Sequence, residues 1–244
     1  MNSAKPQFSQ FELLLLKNQN HLGISILLLL VWIASSDGNI DAAEANELKE
    51  IAKSTGHIDE IDLIISIAKK GEIKSLQLAS EIIKLHFSTE QAKLFIQMSI
   101  GIAIADGYLR QTENHILKYI SDLISISSHT LNNIFIEITG KNFPHPADLS
   151  SSSYWQSRYN YQNNYNTNNN DQASQSRDPK RIKSLAILGL DETATLSEIK
   201  DAFRRLSKIH HPDRFASLGE EAVQAATLTF KRILSAYKYL TEYA

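Results

Sequence analysis

The chain has 244 residues, with 25 Lys+Arg against 27 Asp+Glu, 43% hydrophobic residues, 8% aromatic residues and no cysteine. That length suits one large domain or two modest ones, and the missing cysteine excludes disulfide scaffolds, thiolate zinc sites, iron–sulfur clusters and cysteine nucleophiles. A net charge of −2 gives no global pull toward nucleic acid or anionic lipid, and nine Gly with five Pro are too few for a loop-rich β protein, so an all-α chain is expected.

The most apolar stretch runs from Leu22 to Ala34 (LGISILLLLVWIA) and stops at Ser35-Ser36-Asp37-Gly38. A spanning helix needs about 20 apolar residues, so this segment reads as a buried core helix. It lacks a basic flank and a small-residue cleavage pattern, so it is not read as a signal peptide. Membrane attachment is not evident.

Residues 1–140 are helical in pattern and carry a net −5, from 11 basic and 16 acidic side chains. Two segments echo each other within them. Ala34-Ser-Ser-Asp37-Gly38-Asn-Ile40-Asp-Ala-Ala-Glu44 and Ala103-Ile-Ala-Asp106-Gly107-Tyr-Leu109-Arg-Gln-Thr-Glu113 share the pattern A-x-x-D-G-x-Φ-x-x-x-E, sixty-nine residues apart. In each, an apolar helix stops at Asp-Gly and a new one begins before the Glu. Gly38 and Gly107 suit the left-handed conformation that ends a helix, Asp41 with Glu44 forms a capping box, and Glu113 favours the dipole of a first turn. The spacing equals the second half of a calcium-binding EF-hand loop, but isoleucine stands at would-be ligand positions, which excludes that site. Two readings of Asp37, Glu44, Asp106 and Glu113 stay open. They are turn and cap residues, or they converge through pseudo-twofold packing into a carboxylate site for Mg or Ca.

Residues 141–181 lose their aliphatics and fill with Ser, Asn and Tyr, at net +2. Such a composition cannot bury enough apolar surface to offset ordering entropy, so a disordered linker is expected. Its aromatics suggest stacking on single-stranded nucleic acid, but only Arg158 is basic between 142 and 176, and no nucleic-acid partner is expected.

Residues 182–244 return to helical periodicity at net +1. Thr195 with Glu198 makes a capping box for a helix starting at Leu196. Ile199, Ala202, Phe203, Leu206 and Ile209 share one arc, whereas Lys200, Arg204, Arg205 and Lys208 share the opposite one. Pro212 ends this helix. From Glu220 to Tyr239, Val223, Ala226, Phe230, Ile233, Tyr237 and Leu240 recur in steps of three and four, which predicts a seam for one antiparallel partner. By spacing alone two readings stay open: His211-Pro212-Asp213 is a helix stop and turn and the basic ridge a solvated face, or loop and ridge together form a contact surface for an acidic partner.

The ordered set Ile187-Leu188-Gly189-Leu190, Ile199 through Leu206 (IKDAFRRL), His211-Pro212-Asp213 and Ala236-Tyr237 resembles the J-domain (DnaJ-type) co-chaperones. The continuation Arg214-Phe215 to Gly219, with the third helix reaching the end of the sequence, looks like the DjlA-type subgroup. Departures from the family are Ser184 and Leu185 for its helix I tyrosines, Phe203 for its helix II tyrosine and Arg214 for its usual lysine. The resemblance implies stimulation of ATP hydrolysis in a DnaK-type ATPase. Lys200, Phe203, Arg204, Arg205, Lys208, His211, Pro212, Asp213 and Arg214 would be the contact set. Hydrolysis would occur in the partner, so this chain is not expected to be an enzyme itself.

The Asp-Gly repeat in turn resembles the TerB-like (tellurite-resistance) all-helical domain, over about 20–140. It implies an adaptor for an unknown protein client or, alternatively, a metal-binding stress sensor to which the J-domain is secondary. The expected arrangement is therefore an all-α chain: a bundle with an internal repeat at 1–140, a linker at 141–181 and a J-domain helical hairpin at 182–244. No cofactor is required unless a divalent cation binds the bundle, and a cytoplasmic location is expected.

Overall fold

A computed structural model describes residues 8–35, 42–144 and 178–242, with side chains from residue 45 onward in the second segment. Among the described residues there are eleven α-helices, one 3-10 helix and no strand. Eight α-helices come first: α1 (Gln10–Lys17), α2 (His21–Ala34), α3 (Ala42–Ser54), α4 (Ile61–Lys70), α5 (Ile73–His86), α6 (Thr89–Ala103), α7 (Gln111–Leu123) and α8 (Ser128–Thr139).

The apolar stretch forms α2, as its composition predicts. Asn20 caps its start by accepting from the Gly23 N–H at 2.9 Å, and residues Gly23 to Val31 are buried continuously. A helix apolar on every side must be covered on every side. It lies against α3, α4, α5, α6 and α7. No helix among the described residues is long and apolar enough to cross a membrane.

The bundle extends past its last helix. Gly140 closes α8 in the left-handed conformation. The chain then returns, Phe143 packs edge-on against Phe135 at 5.2 Å, and Asn114 donates to the Pro144 carbonyl at 2.7 Å.

The C-terminal unit consists of α9 (Pro179–Ile187), α10 (Leu196–Ile209), the 3-10 helix Pro212–Leu218 and the 23-residue α11 (Glu220–Glu242). Helix α9 begins inside the stretch read as linker, because Asp178 caps the Lys180 N–H at 3.0 Å and Pro179 suits the first helical turn. The remaining linker, residues 145–177, lies outside the described residues. Both α9 and α10 pack on α11, and Phe203 stacks on Tyr237 with centroids 4.0 Å apart.

The single seam expected for α11 is only part of what the helix buries: Ala226, Ile233 and Leu240 are buried, and Val223, Phe230 and Tyr237 are half-buried. A neighbouring face carrying Glu221, Ala222, Ala225 and Thr229 is also buried, and α11 contacts α2, α3 and α6 of the bundle. The apolar residues of the two units form one continuous cluster. Small side chains made this second face weak in a hydrophobic pattern, yet they let backbones approach closely.

Three bundle glycines make room for the C-terminal unit. A Cβ on Gly23 would lie 2.2 Å from the Glu221 carboxylate, one on Gly101 would lie 2.6 Å from the His210 ring, and one on Gly107 would lie 2.4 Å from Ala186. Gly107 does not itself cap α6, which ends at Ala103 with Ile104 as its cap; with a φ of 93° it turns the chain three residues later and admits α9.

Leu27 is fully buried at the centre of α2. Leu27→Ala is expected to lower the stability of the whole chain by about 2–5 kcal/mol, read from urea unfolding.

Candidate partner-binding site

Helix α10 starts at the predicted capping box: Thr195 accepts from the Glu198 N–H at 3.3 Å, and the Glu198 carboxylate accepts from the Thr195 N–H at 2.7 Å. The bond from the Thr195 N–H, and then one that its hydroxyl donates to the same carboxylate at 2.8 Å, hold the Glu198 pKa below the usual carboxylate range. Ile199, Ala202, Leu206 and Ile209 face inward, and Lys200, Arg204 and Lys208 are exposed. Arg204 pairs with Asp201 at 3.2 Å, a surface contact that leaves it free to re-pair.

The segment after α10 is a short 3-10 turn pinned from beneath by buried Phe215 and Leu218. His211 occupies its N-cap, where Nδ1 accepts from the Asp213 N–H at 3.3 Å. The His211 ring stands edge-on to Phe230, 5.8 Å between centroids. The His211 and Asp213 side chains nevertheless remain 51% and 89% exposed. A buried footing therefore presents an imidazole and a carboxylate to solvent in fixed geometry, with Pro212 stiffening the backbone between them. This arrangement suits docking. The carboxylate can accept charge-assisted hydrogen bonds, and the ridge of cations can meet an acidic groove.

Two members of the predicted contact set are already engaged. Arg205 is half-buried and donates to the carbonyls of Glu137, at 3.0 Å, and Ile138 in the last turn of α8. Arg214 reaches the Gln97 side-chain oxygen at 3.4 Å. From α6, Gln91 donates to the Ser217 carbonyl at 2.8 Å and Gln97 to the Ile209 carbonyl at 3.4 Å. Other clasps close the contact. His57 and Glu221 meet at 3.0 Å, each 4% exposed, Asn20 donates to the same Glu221 oxygen at 2.8 Å, and Arg232 pairs with Glu47 of α3. For Glu221 the cost of burial, which raises a carboxylate pKa, is outweighed by the His57 and Asn20 hydrogen bonds and the His57 charge, so its pKa falls.

Sequence reading missed Gln97, Gly101, His57 and Glu221. The available signal was a glutamine and a glycine inside the apolar run of α6, because an interior helix glycine costs up to ~1 kcal/mol against alanine and invites a packing explanation.

The carboxylate repeat is only half described. Asp37 and the Glu44 side chain lie outside the described residues. Asp106 accepts from the Tyr108 N–H at 3.1 Å and from Arg110 at 2.7 Å, whereas Glu113 accepts from the Arg110 N–H at 2.7 Å. These two therefore serve as turn former and helix cap. Among the described residues no group of three or more His, Asp or Glu is placed to hold a metal ion.

Comparison with known proteins gives two family matches. Residues 23–135 match the family described as tellurite resistance protein TerB, and residues 185–244 match the DnaJ domain. The Co-chaperone protein DjlA of Coxiella burnetii is 23% identical over 219 residues, 86% of this chain and 72% of that protein. Its namesake from Haemophilus influenzae is 26% identical over 148 residues, 59% of this chain and 51% of the relative. Chaperone protein dnaJ 72 of Arabidopsis thaliana is 43% identical over 56 residues, 23% of this chain and 30% of that protein. This chain thus spans about half the length of the Haemophilus relative and less than a third of the Arabidopsis one. No solved structure matches it.

His210, beside the exposed His211, is buried against Gly101. Burial, followed by the positive charges of Arg214 and Arg205, pushes its pKa down to about 4. An unfolded histidine titrates near 6.5, so the unfolded chain takes up the proton first. The stability from neutral His210 is full above that value and is lost as pH falls toward 4. Between pH 7 and 5 the wild type is expected to lose about 2 kcal/mol more stability than His210→Gln, measured by denaturant titration.

Proposed function

We propose that this chain, a J-domain protein of the DjlA type with a TerB domain ahead of its DnaJ domain, acts as a co-chaperone that recruits a DnaK-type ATPase and stimulates its ATP hydrolysis. The observation that carries the reading is the exposed pair His211 and Asp213, fixed on a buried footing beside the exposed cations of α10. Lys200, Arg204 and Lys208 would steer an acidic surface into place, and Phe203 and Pro212 would hold the shape of the contact. His211 and Asp213 would make the directional bonds. The chemistry stays in the partner.

The TerB domain would serve as the adaptor, bringing the ATPase to a protein client at high effective concentration. A reducing compartment such as the cytoplasm suits a chain without cysteine.

Single-turnover ATP hydrolysis by a DnaK-type ATPase tests the reading. Wild-type chain is expected to accelerate hydrolysis, and His211→Gln to return it to the intrinsic rate while leaving the fold intact by circular dichroism. Stimulation that ignores this substitution refutes the proposal. Lys200→Ala and Lys208→Ala are expected to raise the concentration for half-maximal stimulation several-fold, an effect that shrinks as salt screens the ridge.

A further inference from the structure

We infer that the TerB domain and the partner ATPase compete for the C-terminal end of α10, so that the docked arrangement is a restrained state of the DnaJ domain. The inference rests on the co-chaperone reading and adds to it a device that limits activity from within the chain.

The contact set divides in two. Lys200, Arg204, Lys208, His211 and Asp213 remain open to solvent, whereas Arg205 is committed to the TerB domain; Arg214 is exposed and reaches that domain only through Gln97, at 3.4 Å. The commitment of Arg205 is favourable on its own terms. The carbonyls of Glu137 and Ile138 belong to the last turn of α8, where oxygens lack intrahelical donors and the helix dipole presents partial negative charge. A guanidinium there satisfies both carbonyls and stabilises the helix end. An acidic groove that approaches the exposed part of the ridge can make its first encounter, but it must displace α8 to engage Arg205.

The docking surface is shaped for a persistent contact rather than a chance one. Gly23, Gly101 and Gly107 leave room for Glu221, His210 and Ala186, and the His57–Glu221 pair is buried between the two domains. Removing one partner of such a pair leaves the other buried without compensation, which makes the contact sensitive to single changes. Both domains also contribute polar groups that close over one another, as with Gln97 and the Ile209 carbonyl at 3.4 Å.

The absence of native cysteine permits a direct test on the full chain. Fluorophores at Leu85→Cys and Glu192→Cys, both at exposed positions on opposite domains, report docking by energy transfer. Gly101→Leu opens the contact from the TerB side and Glu221→Ala from the DnaJ side, with circular dichroism to confirm that each chain stays helical. Both variants are expected to lower transfer and to raise ATPase stimulation at subsaturating concentration by about fivefold or more, the lower range of coupling between linked sites. Reduced transfer with unchanged or weaker stimulation overturns the competition. Undiminished transfer in both variants overturns the docked arrangement as the thing they restrain. If neither wild type nor opened variants stimulate hydrolysis, the co-chaperone reading itself fails and this inference falls with it.

Discussion

The structure depends on enclosing α2. A helix with a continuous buried run from Gly23 to Val31 has no face to give to water. Six neighbours meet that demand, and one of them, α11, comes from the far end of the sequence. The start of α2 sets the terms of that visit. Gly23 is bare enough for Glu221 to approach, and Asn20 caps the helix through its oxygen while donating to Glu221 through its nitrogen. The same residues that begin the central helix of one domain anchor the longest helix of the other.

From this constraint the position of the exposed turn after α10 follows. Docking α11 on α2, α3 and α6 brings the 3-10 turn against α6 and the end of α10 against α8. His211 and Asp213 stay outward because Phe215 and Leu218 take the inward positions of the turn. Exposure of the signature residues and burial of the neighbouring His210 are two sides of one register, set where α10 ends before Pro212.

Much of this was legible in the sequence because it follows from local rules. The capping box at Thr195, the amphipathic split of α10 and the helix stop at Pro212 each rest on a few adjacent residues. The buried run of α2 followed from apolar length alone. What escaped was the contact between domains. Ala222, Ala225 and Thr229 carry little hydrophobic signal, Gln97 reads as polar, and His57 and Glu221 stand 164 residues apart. No periodicity can pair residues at that distance. The start of α9 was also missed, because the cap at Asp178 sits inside a stretch whose composition otherwise reads as linker.

The small-residue face of α11 has a thermodynamic consequence of its own. Ala222 and Ala225 have no rotamers to freeze, so at those positions closing the face sacrifices no side-chain entropy, and the ordering cost falls on Glu221 and Thr229. Because both partners sit on one chain, closure spends little translational freedom either. The surfaces that meet are helices of two units, α11 on one side and α2, α3 and α6 on the other. A contact built this way forms at little entropic cost, and its balance against a competitor rests on the apolar cluster it completes and the polar pairs that cross it.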